Sequence, residues 1–168
     1  MKIHENYLNT DDIESLCNVA KRVQRTDNLR TNFGTWSDSI VQYSSPVMIY
    51  DIPDEYTTNL RQYSELEDMT AFMLYFWRHG SYIPWHDDNH ASVTGTIYLN
   101  DKWERDWGGY LCWDGGYLIP KYNTMVLQHE QPHCTTPVTR PLYQLVNNQQ
   151  IIPVIRTTLQ FFKLKEEK

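Results

Sequence analysis

The chain has 168 residues, 40% of them apolar and 14% aromatic, with a formal net charge of −6. That length suits one domain with a hydrophobic core, and the acidic balance excludes phosphate-backbone binding as the main activity, so no nucleic-acid partner is expected. Cys17, Cys112 and Cys134 show no C-x-x-C spacing and read as reduced thiols, not a disulfide framework. No apolar run approaches a membrane span and the polar N-terminus is no signal peptide, so a cytoplasmic protein without a membrane partner is expected. Oligomeric state is left open.

Thr10-Asp11-Asp12 reads as a helix start, and Ile13, Leu16, Cys17, Ala20 and Val23 recur at helical spacing, which predicts an amphipathic helix over 11–25. Residues 27–46 read as loop with one short strand near Ser39–Tyr43, and Val47–Tyr50 as a short strand. Pro53-Asp54 opens a second helix through about Leu66. From Ala71 the texture changes to short runs of β-formers: Ala71–His79, Thr94–Leu99, Tyr110–Trp113, Tyr117–Ile119, Thr124–Gln128 and Thr157–Lys163. Asp114-Gly115-Gly116 is a hairpin signal. The order predicts a mainly β fold, an antiparallel jelly roll with N-terminal helices packed outside one sheet. It is read as a single domain, 1–168, with residues 1–69 as helical support and 70–163 as the catalytic part. The charged tail Lys163–Lys168 is expected to fray.

Trp85-His86-Asp87-Asp88 carries the chemistry. His86 and Asp88 stand at i and i+2, so in extended backbone both side chains leave one face. His133 from a distant strand would complete two histidines and one carboxylate, the set that holds non-haem Fe(II) with positions left open. On its own H-x-D is a common surface pattern. Asp87 would point to the opposite face, and His90 and His129 read as exposed or as supporting groups.

The flanking stretches add context. Tyr75-Phe76-Trp77-Arg78-His79-Gly80-Ser81-Tyr82 precedes the motif, and Ile97-Tyr98-Leu99-Asn100-Asp101-Lys102-Trp103 follows it. Next come Gly108-Gly109-Tyr110-Leu111, Ile119-Pro120-Lys121-Tyr122-Asn123 and Pro132-His133-Cys134-Thr135-Thr136-Pro137-Val138. Arg156-Thr157-Thr158-Leu159-Gln160-Phe161-Phe162 closes the series. In this order, over about residues 70–163, the chain resembles Fe(II)- and 2-oxoglutarate-dependent dioxygenases of the prolyl 4-hydroxylase type, including the hypoxia-factor prolyl hydroxylases.

The resemblance implies a double-stranded β-helix, with His86 and Asp88 on one strand and its following turn and His133 on a later strand. It implies Fe(II) held by these three residues, 2-oxoglutarate as co-substrate, O2, and ascorbate as an accessory. The far carboxylate of 2-oxoglutarate needs a buried cation, and Arg156 offers a bidentate, always-charged fork. Thr158 shares its strand face, so its hydroxyl could add a hydrogen bond; the resemblance also places Tyr98 near that carboxylate and Tyr75 near co-substrate and metal. Succinate and CO2 would leave as an unactivated carbon, most simply that of a prolyl residue in a peptide or protein, is hydroxylated. Trp77, Trp85, Trp103, Trp107 and Trp113 are candidates for an aromatic rim.

Two departures from the family stand out. His133 and Arg156 are 23 positions apart, more than the family needs, and the excess at Thr139–Ile155 reads as an inserted hairpin with an Asn147-Asn148 turn. Arg140 inside it is a rival for the carboxylate, ranked lower because Pro141 follows and the Arg-x-Thr strand context is missing. Trp85 precedes His86, and Tyr82 lies one position further from His86 than in the hypoxia-factor enzymes. Other readings are the same oxygenase chemistry on a small molecule or another side chain, a non-catalytic metal-binding cupin-like module, and a hydrolytic zinc enzyme. The module gives no reason for Arg156, and the hydrolase lacks an obvious general base.

Overall fold

The computed structural model describes residues 1–24, 29–31, 47–139, 143–146, 150–153 and 155–166, with backbone alone at 30–31, 143–146 and 150–153. Helix α1 (Thr10–Val23) is capped one residue earlier than Thr10 suggests. Asn9 is the cap, and its side-chain oxygen accepts from the Asp12 backbone N–H at 2.9 Å. Helix α2 (Asp54–Leu60) is shorter than the expected span to Leu66. Leu60 and Leu66 are both buried, yet six residues on one helix stand roughly 240° apart. The chain therefore leaves the helix, turning through Tyr63 N–H to Leu60 C=O and Leu66 N–H to Tyr63 C=O bonds.

The strands are β1 (Lys2–His4), β2 (Arg30–Thr31), β3 (Val47–Asp51), β4 (Ala71–Trp77), β5 (Ile83–His86), β6 (Ala91–Tyr98) and β7 (Leu111–Trp113). There follow β8 (Gly116–Leu118), β9 (Met125–Gln128), β10 (His133–Thr135), β11 (Tyr143–Val146), β12 (Gln150–Pro153) and β13 (Arg156–Leu164). Seven make one antiparallel sheet in the order β1-β9-β6-β13-β4-β3-β2, and four make a second, β5-β10-β7-β8. This is the expected jelly roll. Asp114-Gly115 forms the two-residue turn between β7 and β8, with Gly115 at φ +93°. The inserted hairpin is present as β11 paired with β12; its Asn147-Asn148 turn lies outside the described residues, as do Arg140 and the strand expected near Ser39–Tyr43.

Alternation along the large sheet separates two environments. Phe72, Leu74 and Phe76 of β4, Met125 and Leu127 of β9, and Leu159 and Phe161 of β13 share one buried layer with Ile13, Leu16, Val19 and Val23 of α1. The intervening residues Met73, Tyr75, Trp77, Gln128, Arg156 and Gln160 face the smaller sheet across a cavity. Gly95 of β6 is needed for this packing. A Cβ there would stand 2.2 Å from Phe161 Cζ and 2.6 Å from the Val126 carbonyl oxygen. Gly95→Ala should therefore cost about 1–3 kcal/mol through overpacking, read as a lower midpoint in thermal melting; an unchanged midpoint would show that the β6–β13 contact can yield.

Candidate active site

The cavity between the sheets has a volume of about 830 Å³. His86 ends β5 and His133 opens β10, and the two are directly opposite in the antiparallel ladder. Their rings lie 4.3 Å apart, tilted by 56°. Asp88 sits in the turn to β6, where its carbonyl accepts from Ala91 N–H at 2.9 Å. Its two carboxylate oxygens reach His86 Nε2 at 3.7 Å and His133 Nε2 at 3.6 Å.

Both imidazoles are oriented from behind. His86 Nδ1–H donates to the Pro84 carbonyl and His133 Nδ1–H to the Gln131 carbonyl, each at 2.8 Å. That pairing fixes the tautomer and leaves each Nε2 lone pair facing the centre. The three potential donor atoms lie within 4.8 Å of one another. Two imidazoles and one carboxylate, with no fourth such donor in the cluster among the described residues, fit a non-haem iron with open positions.

Desolvation, and then the neighbouring His133, hold the His86 pKa below the ordinary imidazole value, against the upward pull of Asp88. Its neutral form is the one that ligates metal. In the unfolded chain His86 takes up a proton near about pH 6.5, whereas the folded state resists it. The unfolded state thus binds more protons below that point, and stability falls as the pH is lowered until the folded pKa is passed. Metal-free protein should lose melting temperature across this window, and His86→Gln should lose less; parallel pH profiles for the two would refute this origin.

Arg156 opens β13 and is 1% exposed. Its guanidinium lies 4.6 Å above the Trp77 ring and 5.3 Å from that of Tyr98. Among the described residues, Arg156 Nε and Nη1 and the Tyr98 hydroxyl are buried without a hydrogen-bond partner. Burial raises the Tyr98 pKa, opposed by the guanidinium, and burial lowers that of Arg156. A buried, unpaired cation is costly unless an anion joins it. Gly109 makes room for it: at φ +68°, a Cβ there would stand 2.8 Å from Arg156 Cδ.

The remaining expected groups are distributed unevenly. Tyr75 is buried, lines the cavity and pairs across the ladder with Thr158. The Thr158 hydroxyl oxygen already accepts from Trp77 Nε1 and Gln160 Nε2, both at 3.0 Å, so only its proton is left to offer. Of the five candidate rim tryptophans, Trp85 lines the cavity while 58% exposed, which puts it at the mouth. Trp77 is buried beneath Arg156 and is no rim residue. Trp103 and Trp107 pack edge to face away from the cavity, and Trp113 does not line it. Asp87, His90 and His129 are exposed.

The sequence reading missed Gln128. Its amide nitrogen lies 3.1 Å from His133 Nε2, and its carbonyl oxygen is buried without a partner among the described residues. That amide holds the lone pair a metal would take, so it must yield when His133 ligates. Position on β9 at the cavity face is the only signal that could have found it.

A sequence model of the 2OG-Fe(II) oxygenase superfamily matches residues 70–148. No curated protein matches the chain by sequence. Among solved structures the chain is similar to a Pseudomonas putida prolyl-4-hydroxylase, at 18% identity over 98% of this chain and 92% of that one, with a TM-score of 0.68. It is similar to a Trichoplax adhaerens prolyl hydroxylase solved with a hypoxia inducible factor peptide fragment, at 15% identity over 97% and 82%, with a TM-score of 0.71. A viral collagen prolyl hydroxylase from Paramecium Bursaria Chlorella virus-1 gives 12% identity over 96% and 93%, and 0.62. At these identities the structural likeness carries the fold.

Proposed function

We propose that this chain is a 2OG-Fe(II) oxygenase, the superfamily whose sequence model matches residues 70–148, and that it hydroxylates a prolyl residue of a peptide or protein. The observation that carries the co-substrate reading is the buried, unpaired Arg156 in the same cavity as His86, Asp88 and His133. Iron held by His86, Asp88 and His133 would supply, with 2-oxoglutarate and O2, the oxidation that hydroxylates a C–H bond of the substrate as succinate and CO2 are released.

The protein's own residues bind, orient and shield. His86, Asp88 and His133 would hold the iron, with the Pro84 and Gln131 carbonyls fixing both rings. Arg156 would take the far carboxylate in a charge-assisted fork, and the Tyr98 hydroxyl would donate to the same group. Tyr75 closes the side of this pocket. Trp77 and Leu111 keep the pocket walls apolar, which excludes water around the charged pair.

A peptide substrate is supported by the mouth of the cavity, where Trp85 offers a broad exposed ring beside His86. The peptide bound by the Trichoplax enzyme supports the same class. Incubation with iron, 2-oxoglutarate and a panel of proline-containing peptides should give products heavier by one oxygen atom, located on proline by fragmentation. A panel without any oxygenated peptide, while 2-oxoglutarate is still consumed, would transfer the reading to a small molecule or another side chain.

A further inference from the structure

Cys112 and Cys134 stand directly opposite each other on β7 and β10. Leu111 and Thr135, their neighbours in the chain, line the cavity, so alternation turns both thiols to the outer face of the smaller sheet. Both are half-buried, which leaves them within reach of a small solute. Cys17 is elsewhere, with its thiol on the Leu99 carbonyl at 3.4 Å.

Opposite residues on antiparallel strands have Cα atoms about 4.5–5.5 Å apart, inside the roughly 4.4–6.8 Å that a disulfide spans. Their Cβ atoms, however, ordinarily lie about 4.5–5.5 Å apart, against about 3.8 Å in a disulfide. Closing the bond must therefore draw β10 toward β7. The residue next to Cys134 is His133, which is paired on one side with Trp113 and on the other with His86.

We propose that Cys112 and Cys134 are a redox pair, oxidised by a hydroperoxide to a cross-strand disulfide that displaces His133 and weakens metal binding. One sulfur attacks the peroxide, taking its terminal oxygen as a sulfenic acid and releasing the alcohol, or water when the oxidant is hydrogen peroxide. The second sulfur displaces that oxygen, so the S–S bond forms as water leaves. The two thiols give up two electrons and the peroxide accepts them. A strained, accessible bond of this kind is readily reduced by thiols, which makes the change reversible. The link itself does not depend on the metal-site reading above; its effect at His133 does.

The three cysteines fall on three tryptic peptides, Ile3–Lys21, Asp106–Lys121 and Tyr122–Arg156. Folded full-length protein treated with stoichiometric hydrogen peroxide should yield the second joined to the third, absent in Cys112→Ser and Cys134→Ser. Free or singly oxidised thiols, or a link to Cys17 instead, would overturn the pair. After removal of peroxide, oxidised wild type should bind Co(II) at least fivefold more weakly than reduced protein. A thiol reductant should restore it, and peroxide-treated Cys112→Ser should be unaffected. Equal Co(II) affinity with the link in place would overturn the displacement of His133. Reduced protein that binds no Co(II) would sink the metal-site reading and the switch together, while the peptide map still decides the dithiol.

Discussion

Arg156→Leu should abolish the stabilisation that 2-oxoglutarate confers on the metal-loaded protein while leaving the ligand-free protein at least as stable as wild type. The two halves of this result come from one fact. The guanidinium is fully desolvated, stacked on Trp77, and has two nitrogens with no partner. Without an anion it is a cost that an apolar side chain removes, as replacement of buried charges often shows. With the anion, truncating a buried charge pair costs about 2–5 kcal/mol, which is roughly 30-fold or more in affinity. Wild-type melting temperature should rise with 2-oxoglutarate concentration, and that of Arg156→Leu should not. Arg156→Lys should fall between them, since it keeps the charge and loses the fork. Continued stabilisation of Arg156→Leu by 2-oxoglutarate would pass the role to another cation, Arg140 first.

His86→Ala and Asp88→Ala are each expected to reduce iron-dependent 2-oxoglutarate turnover to background. His86 and His133 face each other across one rung of the ladder with Asp88 bridging their Nε2 atoms, so removal of any one leaves two donors and no closed face. Both losses should appear as failure to bind Co(II) as well as loss of succinate formation. Arg156 variants, by contrast, should still bind Co(II). Unimpaired turnover in either ligand variant would sink the site.

Much of this site was legible because its chemistry is written in strand alternation. His86 and Asp88 at i and i+2, and Arg156 opening an otherwise apolar strand, stand out without knowledge of the fold. Other parts depend on register. Gln128 reads as one more polar residue at the end of β9 until the sheet brings its amide to His133. Trp77 reads as a candidate for the aromatic rim until β13 lays Arg156 across it. Strands of three or four residues, such as β1, β5 and β10, are too short to show a period, and β5 contains a proline. The end of α2 was missed because Leu66 continues an apolar pattern that only a turn lets the core accept.

The two-faced character of β4, β9 and β13 bears on how such a protein can change over generations. Residues under α1 maintain the fold, and their immediate neighbours furnish the cavity. Because adjacent positions answer to separate demands, substitutions on the cavity face can alter what is bound while the helix-facing layer is untouched. A single-residue insertion or deletion in β13 has the opposite character. It would carry Arg156, Thr158 and Gln160 under the helix and bring Leu159 and Phe161 into the cavity, losing fold and site at once. Divergence of this scaffold is therefore expected through point changes on alternate strand positions and through length changes confined to its connections.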